Sequence, residues 1–263
     1  MKVVTLTGGT RGIGYGLADS FLALGCSVTI SGRNQSNVDD AAATLAAKHG
    51  ADRVLGRACD VAQADQVQAL WDAAKERFGR VDIWINNAGI ALPQSKFWAL
   101  PPDQIKAIVD TNTLGAMYGA RVALQGMLEQ GFGAVYNMEG LGSDGRRVQG
   151  LTPYGTTKYA LAYLTDALAE EAKGTPVIVG AIRPGMVMTE LITAQYEDRP
   201  PEEWAEAKRI FNILADRVET VTPWLAQKVL DNRKNGARIS WLTPGKVIGR
   251  FLTAKFRRRD LFE

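Results

Sequence analysis

The sequence predicts a single α/β domain, in which about seven parallel strands form a doubly wound sheet with helices on both faces. Strand-like and helix-like segments alternate from residue 2 to about residue 183. A glycine-rich turn at 7–14 joins the first strand to the first helix. The chain has 263 residues, of which 46% are hydrophobic, and this suits one large core. Together these observations predict one domain over residues 1–263.

The individual elements follow from short apolar runs and from helical periodicity. The candidate strands are Val3–Leu6, Cys26–Ser31, Arg53–Cys59, Val81–Asn86, Gly133–Asn137, Val177–Arg183 and Ala237–Leu242. The candidate helices cover about 13–24, 36–48, 63–78, 103–130 and 152–172. In the first of these, Ile13, Leu17 and Phe21 recur at i, i+4 and i+8, which is the spacing of one helix face.

Composition excludes several classes of function. The net charge of +3 is too small to indicate a nucleic-acid partner. The sequence contains no run of about 18 apolar residues, so we expect no membrane-spanning helix. Cys26 and Cys59 lie in apolar surroundings and are predicted to be buried core residues. The single histidine, His49, argues against a His-based triad or a zinc site. Because no leader sequence precedes the first strand, we expect a bacterial cytoplasmic protein or, for a trimmed plant-type protein, the plastid stroma.

The turn Thr7–Gly14, with the sequence TGGTRGIG, is a predicted phosphate-binding site. A strand, a glycine turn and a helix start bring backbone N–H groups and the positive end of the helix dipole to one point. The spacing Gly-x-x-x-Gly-x-Gly differs from the usual fingerprint of a Rossmann-type fold, so a tight turn without a ligand is the alternative. The residues expected to contact a dinucleotide here are Gly8, Thr10, Arg11, Gly12, Ile13 and Gly14.

The end of the second strand predicts which dinucleotide binds. An enzyme selective for NAD usually carries an acid here, which accepts hydrogen bonds from the ribose hydroxyls. This chain has Ser31-Gly32-Arg33 instead. Arg33 and Arg11 could together hold a 2′-phosphate through charge-assisted hydrogen bonds, so NADPH or NADP is the expected cofactor. Two solvated surface arginines are the alternative.

Polar and small residues follow the third and fourth strands. Asp60, followed by Val61, could accept a hydrogen bond from the adenine amino group, cap the next helix, or do both. Asn87, Ala88 and Gly89 are amide or small residues that let a ribose approach and tie neighbouring loops together. Both groups are therefore predicted to contact the cofactor.

Tyr154 and Lys158 place a phenol and an ammonium at i and i+4, hence on one face of a predicted helix. An isolated tyrosine has a pKa of about 10 and is a poor acid–base catalyst at neutral pH. A lysine one turn away favours the phenolate, so we expect Lys158 to lower the pKa of Tyr154. A surface Tyr/Lys pair is the alternative. Asn112, in the predicted helix 103–130, becomes informative if its amide faces the strand ends.

A further motif, Pro184-Gly185-Met186-Val187-Met188-Thr189, follows the sixth predicted strand. With the motifs above, the sequence resembles the short-chain dehydrogenase/reductase family over essentially its whole length. The resemblance implies that Tyr154 donates a proton to a substrate carbonyl while NADPH delivers hydride, and that Lys158 binds the nicotinamide ribose and tunes Tyr154. It assigns Asn112 to a water-linked proton relay and Thr189 to the nicotinamide amide. It also implies a small-molecule carbonyl substrate, a homo-oligomer (dimer or tetramer), and cofactor contacts at Pro184, Gly185 and Val187.

One residue of the family pattern is displaced. A serine usually lies thirteen residues before the tyrosine and polarises the substrate carbonyl, but Leu141 occupies that position here. The nearest serine is Ser143, and Gly140 and Gly142 could let the loop fold back and present it. Alternatively the role is vacant, or it is filled by Glu139 or by a backbone N–H.

The same loop, 137–145 with the sequence NMEGLGSDG, is similar to that of chlorophyll b reductases of the non-yellowing type. The segments 184–191 and 211–215 share this resemblance. It implies reduction of the 7-formyl group of a chlorin pigment with NADPH. A reductase or alcohol dehydrogenase for another small ketone or aldehyde, and a non-catalytic dinucleotide-binding protein, are the alternatives.

Two segments near the C-terminus are assigned to substrate and surface contacts. Residues 190–222 are the predicted substrate lid, since they hold Tyr196, Trp204 and Phe211, although such aromatics suit packing onto the domain equally well. Residues 244–263 are predicted to form a basic amphipathic helix that packs on the sheet or a second subunit, or rests on an anionic membrane. Its basic residues are Lys246, Arg250, Lys255, Arg257, Arg258 and Arg259.

Overall fold

The computed structural model describes residues 1–193, 200–254 and 259–262. Within these residues, seven strands form one parallel sheet: β1 Val3–Leu6, β2 Ser27–Gly32, β3 Val54–Ala58, β4 Ile83–Asn86, β5 Gly133–Met138, β6 Val177–Arg183 and β7 Ala237–Ser240. Their spatial order is β3-β2-β1-β4-β5-β6-β7, so the direction of sheet growth reverses between β1 and β4. The predicted doubly wound parallel sheet is confirmed.

Helices connect these strands and continue to the C-terminal end of the described chain. They are α1 Gly12–Ala23, α2 Gln35–His49, α3 Ala64–Phe78, α4 Pro102–Val109, α5 Gly115–Gln130, α6 Thr152–Glu171, α7 Glu190–Thr193, α8 Pro201–Leu214, α9 Val218–Asp231 and α10 Pro244–Thr253. The long helix predicted at 103–130 is divided, because a π-helical turn at Asp110–Leu114 separates α4 from α5. Two short 3-10 turns lie at Ala51–Arg53 and Phe97–Ala99.

The strands are buried on both faces, which explains their nearly continuous apolar sequences. In β4, Ile83 and Ile85 belong to one core cluster together with Phe21 of α1. Trp84, between them, belongs to a second cluster, where its ring centroid lies 6.1 Å from that of Trp71 in α3. This two-residue alternation places one helix layer on each side of the sheet.

Helix α9 is an element that the sequence pattern does not predict, since Pro223 lies inside it. It packs closely against α1, because a Cβ added to Gly16 would lie only 2.3 Å from Val218. Val221 is fully buried in the same core cluster as the inner face of α1. Residues 218–222, the end of the predicted lid, therefore belong to the packed body of the domain.

The aromatic residues of the predicted lid pack on one another. Phe211 of α8 is buried, and its ring centroid lies 6.0 Å from that of Trp204. The ring of Phe262, near the C-terminus, lies 5.2 Å from Trp204 in an edge-to-face arrangement. Tyr196, the third aromatic of this prediction, lies outside the described residues.

The C-terminal helix is shorter than the predicted span 244–263, since α10 ends at Thr253. Beyond it the chain returns to α8, where the N–H of Leu261 donates to Asn212 Oδ1 at 3.0 Å. The residues of this prediction that lie outside the described part of the chain are Lys255, Phe256, Arg257, Arg258 and Glu263. Of the helices in the described residues, none combines the length and the apolar character needed to cross a membrane.

Candidate active site

The glycine turn is built by close backbone approach at the carboxyl end of β1. Gly8 has a φ of +67°, and a Cβ added to it would lie 2.8 Å from the Cα of Ala88. A Cβ on Gly14 would lie 2.1 Å from the carbonyl oxygen of Gly8. Only glycine fits at these two positions. The need for glycine is therefore explained by the close approach of the backbone as well as by a bound ligand.

The first turn of α1 is open to an anion. Arg11 is the N-cap residue, and its side chain makes no capping hydrogen bond to the helix. The N–H groups of that turn are therefore not satisfied by a side-chain cap, and they carry the positive end of the helix dipole. The glycine cradle and these donors fit the pyrophosphate of a dinucleotide.

Asn87 fastens the loop after β4 to the glycine turn. Its Nδ2 donates to the carbonyl oxygens of Thr7 and Gly8, each at 2.9 Å. In return, Thr7 Oγ1 accepts from the backbone N–H groups of Asn87 and Ala88 at 3.1 and 3.0 Å. These bonds hold the two loops together at the point where the strand order reverses, which is where ligands bind in open α/β sheets.

The two arginines proposed for the 2′-phosphate differ in their surroundings. Arg33 is exposed directly after β2. Arg11 Nη1 lies 2.6 Å from Glu190 Oε2 of α7, with both side chains largely exposed. An exposed ion pair contributes little to stability, so the contact with Glu190 does not prevent Arg11 from binding a phosphate. The neighbouring Thr189 lies against Gly12, since its Cγ2 would be 3.4 Å from a Cβ added there.

Asp60 does not cap α3. The N-cap residue of α3 is Gln63, and Asp60 Oδ1 instead accepts from the N–H of Ala62 at 3.1 Å. The capping prediction is therefore wrong, because the chain makes a local turn for three residues before the helix begins. Val61 is buried, and a Cβ on Gly115 of α5 would lie 2.6 Å from it.

Asn112 is fully buried in the π-helical turn, and its amide faces the loop after β4. Its Oδ1 accepts from the N–H of Ile90 at 2.8 Å, and its Nδ2 donates to the carbonyl of Ile90 at 2.9 Å. Nδ2 also lies 3.2 Å from Thr157 Oγ1 of α6. A π-helical turn inside an α-helix is frequent at functional sites, and this one joins the loop after β4 to the helix that carries Tyr154.

Tyr154 and Lys158 are brought together on the inner face of α6. Lys158 is buried, and its Nζ donates to the carbonyl of Met138 at 2.9 Å and lies 5.7 Å from the centre of the Tyr154 ring. A Cβ on Gly89 would lie 3.7 Å from the same Nζ. The pair therefore lies beside the carboxyl end of β5 and beside the loop after β4.

Burial moves the two pKa values of this pair in opposite directions. Burial raises the pKa of Tyr154 to about 12. Burial lowers the pKa of Lys158 to about 8, and the charge of Glu139 acts against this change. The expected lowering of the Tyr154 pKa is thus wrong for the protein without cofactor, because burial penalises the charged phenolate.

The loop after β5 folds back against Tyr154. A Cβ on Gly140 would lie 2.7 Å from the Tyr154 hydroxyl, and Ser143 Oγ donates to the carbonyl of Gly140 at 2.8 Å. Ser143 is buried, whereas Leu141, at the usual position of the serine, is 41% exposed. Gly142, with a φ of +99°, provides the turn that makes this possible. Tyr154 and Ser143 therefore contact the same residue.

Glu139 is a buried carboxylate held by two arginines that the sequence pattern does not reveal. Arg183 Nε, at the end of β6, donates to Glu139 Oε2, and Arg238 Nε of β7 lies 3.4 Å from Oε1. The signal in the sequence is a lone arginine in each of two strands that lie side by side. With its oxygens facing two guanidinium groups, Glu139 is placed as an ion-pair partner.

The loop after β6 is anchored by another carboxylate that the sequence pattern misses. Met186 and Met188 pair with the backbone of Asp216, whose N–H donates to Met186 O and whose carbonyl accepts from Met188 N–H, both at 3.0 Å. The side chain of Asp216 accepts from Trp241, Arg250 and Arg259 at 2.6, 2.6 and 2.8 Å. The segment that contains Pro184, Gly185, Val187 and Thr189 is thereby tied to the C-terminal region.

Curated relatives match this chain over most of its length. The chloroplastic chlorophyll(ide) b reductase NOL of Oryza sativa subsp. japonica is 36% identical over 231 residues, covering 86% of this chain and 66% of the relative. The protein of the same name from Arabidopsis thaliana is 35% identical, covering 86% of this chain and 64% of the relative. The 3alpha-hydroxysteroid dehydrogenase of Mediterraneibacter gnavus is 34% identical, covering 73% and 76%. This chain thus spans about two thirds of the length of the two plant proteins.

Solved structures with the same architecture include complexes with both nicotinamide dinucleotides. A 3-ketoacyl-(acyl-carrier-protein) reductase from Brucella melitensis complexed with NADH has a TM-score of 0.78 at 25% identity, covering 91% of this chain and 96% of that one. A gluconate 5-dehydrogenase from Burkholderia cenocepacia J2315 in complex with NADP and tartrate has a TM-score of 0.77 at 25% identity, covering 91% and 93%. The family model described as short chain dehydrogenase matches residues 2–200. This chain therefore belongs to the short-chain dehydrogenase family, whose members are oxidoreductases that bind a nicotinamide dinucleotide.

Proposed function

We propose that the protein is an NADPH-dependent carbonyl reductase in which Tyr154 donates the proton to the carbonyl oxygen. The observation that carries this proposal is the pairing of the half-buried Tyr154 with the buried Lys158, next to the loops that surround the glycine turn. NADPH, when bound, supplies the hydride for the carbonyl carbon. The residues of this chain supply the proton and the position of the reacting groups.

The surroundings of Tyr154 suit a proton donor. With a pKa of about 12, its hydroxyl is protonated throughout the neutral range, which is the form needed to donate to a carbonyl oxygen. When the proton leaves, a phenolate forms, and the Lys158 ammonium beside the ring stabilises that charge. The hydrogen bond from Lys158 to Met138 holds the ammonium in place before the reaction. Asn112, bonded to Ile90 and Thr157, keeps α6 next to the loop after β4.

NADPH rather than NADH is the proposed cofactor. The residue that ends β2 is Gly32, so no acid follows the strand to bind the ribose hydroxyls. Arg33 comes next and is exposed, where it can reach a 2′-phosphate without breaking an internal contact. Both features support NADPH.

The proposed substrate is the formyl group of a chlorophyll b-like pigment. This rests on the plant relatives, whose names describe chlorophyll(ide) b reductases, and on the loop that places Ser143 and Tyr154 against Gly140. The alternatives are a reductase for another ketone or aldehyde, and a non-catalytic dinucleotide-binding protein. A binding protein would need neither the buried Tyr154 hydroxyl nor the buried Lys158 ammonium.

The experiment is NADPH oxidation by the purified protein with a panel of carbonyl compounds that includes formyl-chlorins, small aldehydes and small ketones. Formyl-chlorins are expected to give the highest kcat/KM, with a hydroxymethyl product. Turnover of small ketones alone would contradict the assignment of a pigment substrate, while the assignment as a carbonyl reductase would still hold. Binding of NADPH without turnover of any carbonyl would favour the binding protein. Tyr154→Phe serves as the control for reduction that does not depend on the site.

We further propose that α10 contacts an anionic membrane. Ile248, Phe251 and Leu252 lie on one side of this helix and are 61%, 48% and 72% exposed. The segment 244–263 carries six basic and two acidic residues. Arg250 and Arg259 are bound to Asp216, so the apolar residues would make the direct contact and the remaining basic residues would attract the surface.

Co-sedimentation with anionic and zwitterionic liposomes tests this contact at low and high salt. We expect binding to anionic liposomes that falls with salt, and loss of binding for the double variant Ile248→Glu, Leu252→Glu. Equal recovery in the supernatant throughout would contradict a membrane contact. We also propose a homo-oligomer, and light scattering on the same variant shows whether this face instead joins two subunits.

A further inference from the structure

Glu139 lies between the two residues that contact the Tyr154–Lys158 pair. The carbonyl of Met138, just before it, accepts from Lys158 Nζ at 2.9 Å. Gly140, just after it, lies against the Tyr154 hydroxyl, because a Cβ there would be 2.7 Å from that oxygen. The N–H of Glu139 donates to the carbonyl of Ile182 in β6 at 2.9 Å. Any shift of Glu139 would therefore move both contacts of the pair.

The side chain of Glu139 is held by two arginines. It is 1% exposed, with Arg183 of β6 at Oε2 and Arg238 of β7 3.4 Å from Oε1. Arg238 Nη2 in turn lies 2.7 Å from both oxygens of Asp166 on α6, on the partly exposed side of the cluster. Such partners are needed because a buried carboxylate without them would be an uncompensated charge, which costs several kcal/mol of stability.

We propose that Glu139 is a positioning residue: its buried carboxylate, paired with Arg183 and Arg238, fixes the segment 138–140, which binds the Lys158 ammonium and contacts the Tyr154 hydroxyl. This inference rests on the proposed function of Tyr154 and Lys158.

Two physical effects support this role. Burial favours the neutral amine of Lys158, and the negative charge of Glu139 favours the ammonium. In a water-poor interior the attraction between opposite charges is stronger than at the surface. The charged groups paired with the Glu139 carboxylate are Arg183 from β6 and Arg238 from β7. Lys158 of α6 binds the backbone carbonyl of the preceding residue, Met138, and Asp166 is paired with Arg238 on its outer side.

The same geometry makes Glu139 unsuitable as the proton donor. Its oxygens are paired with guanidinium groups, Oε2 with Arg183 and Oε1 with Arg238, and the Tyr154 hydroxyl lies against Gly140 instead. Glu139 is thus assigned to the support of the segment 138–140, and it does not take the role of the displaced serine.

The experiment follows the titration of Lys158 directly in the protein without cofactor, by NMR of lysine labelled with ¹³C at Cε. The signal of Lys158 is identified by its absence in Lys158→Arg. In the wild type we expect a midpoint near pH 8. In Glu139→Gln the midpoint is expected to fall by about one pH unit, which is the usual size of the effect of a neighbouring charge. In Glu139→Asp, which keeps the charge, it stays near the wild-type value.

Two further variants test whether the ion pairs of Glu139 act on Lys158. Arg238→Gln removes one partner of the carboxylate, so the segment 138–140 is held less firmly and the Lys158 midpoint is expected to fall, by less than in Glu139→Gln. Asp166→Asn is the matched control, because Asp166 is 59% exposed and lies beyond Arg238, and the midpoint should hardly move. An unchanged midpoint in folded Glu139→Gln would overturn the proposal. If Glu139→Gln does not fold, an unchanged midpoint in Arg238→Gln overturns it.

The pH dependence of kcat/KM is the second measurement. The decline of reduction at alkaline pH should move with the Lys158 midpoint in each variant. If no carbonyl is reduced by the wild type, the proposed function fails, while the NMR titration still decides whether Glu139 acts on Lys158.

Discussion

Burial determines how the residues of the candidate site ionise. Tyr154 and Lys158 are both shifted toward their neutral forms, because a low-dielectric interior penalises a phenolate and an ammonium alike. For reduction, the neutral phenol is the useful form of Tyr154. For Lys158 the useful form is the charged one, and with a pKa of about 8 that form dominates only up to mildly alkaline pH.

Replacing Tyr154 by Phe should remove the proton donor and leave the ring in place. We expect kcat for carbonyl reduction to fall by about 10²- to 10⁴-fold, the usual contribution of a general acid. NADPH affinity, measured by fluorescence, should stay close to that of the wild type. Tyr159→Phe is the control, since Tyr159 lies on the same helix but is exposed. Substantial turnover by Tyr154→Phe would mean that another group donates the proton.

Replacing Arg33 by Asp should change the choice of cofactor. We expect the ratio of kcat/KM for NADPH to that for NADH to fall by at least about tenfold, because a charge-assisted hydrogen bond contributes about 1.5–3 kcal/mol. Arg11→Gln, in which the partner of Glu190 is lost, should have a smaller effect. An unchanged ratio in Arg33→Asp would remove Arg33 from the phosphate site.

Between elements, Asp216 is the main connection of the C-terminal region. It joins the loop after β6 to Trp241, to Arg250 of α10 and to Arg259. Burial alone would raise its pKa, but the hydrogen bonds from these three side chains outweigh burial and hold the pKa below its usual value. Arg250 and Arg259, two basic residues of the segment 244–263, therefore stabilise the packing of the C-terminal region, because they neutralise a carboxylate that is nearly inaccessible to water.

Replacing Asp216 by Asn should destabilise the protein by about 3 kcal/mol at pH 7, as expected when one partner of a buried ion pair is removed. Its folded pKa is lower than its unfolded pKa, so this stabilisation is present above about pH 4 and is lost as pH falls through the folded pKa. Urea unfolding at several pH values measures both effects. Asp144→Asn, in an exposed pair 3.5 Å from Arg146, should change stability little. A difference that persists at the lowest pH would contradict the ionic origin.

At the scale of the whole molecule, the sheet brings the site together from loops that are far apart in sequence. The glycine turn follows β1, Asn87 follows β4, and Asn112 lies in the π-helical turn. Hydrogen bonds join Asn87 to the glycine turn, and join Asn112 both to the loop after β4 and to α6, the helix that carries Tyr154. A ligand that contacts several of these loops should therefore stabilise the whole domain.

NADPH should raise the melting temperature of the protein more than NADH does. At a concentration of about 100 Kd, a ligand that binds only the folded state stabilises it by about 2.7 kcal/mol, which corresponds to a shift of several degrees in a domain of this size. Thermal unfolding at matched cofactor concentrations measures this. Equal shifts would contradict the preference for NADPH, and no shift with either cofactor would contradict the dinucleotide site.

The sequence by itself determined the strands, most of the helices between them and the class of the fold. Strands buried on both faces must be apolar throughout, and helices that cover them must repeat every 3.6 residues, so both are visible in local pattern. The pairing of Tyr154 with Lys158 was visible for the same reason, since residues at i and i+4 share one helix face. Helix α9 was not, because Pro223 interrupts its pattern.

Only the tertiary structure decided the electrostatics of the site and the shape of its loops. The pKa of Tyr154 rises because of burial, and burial depends on elements distant in the chain. Glu139 meets Arg183 and Arg238 only because β5, β6 and β7 lie side by side. The loop that carries Ser143 has glycines at 140 and 142, which allow many backbone conformations, and packing against Tyr154 and Gly155 selects one of them.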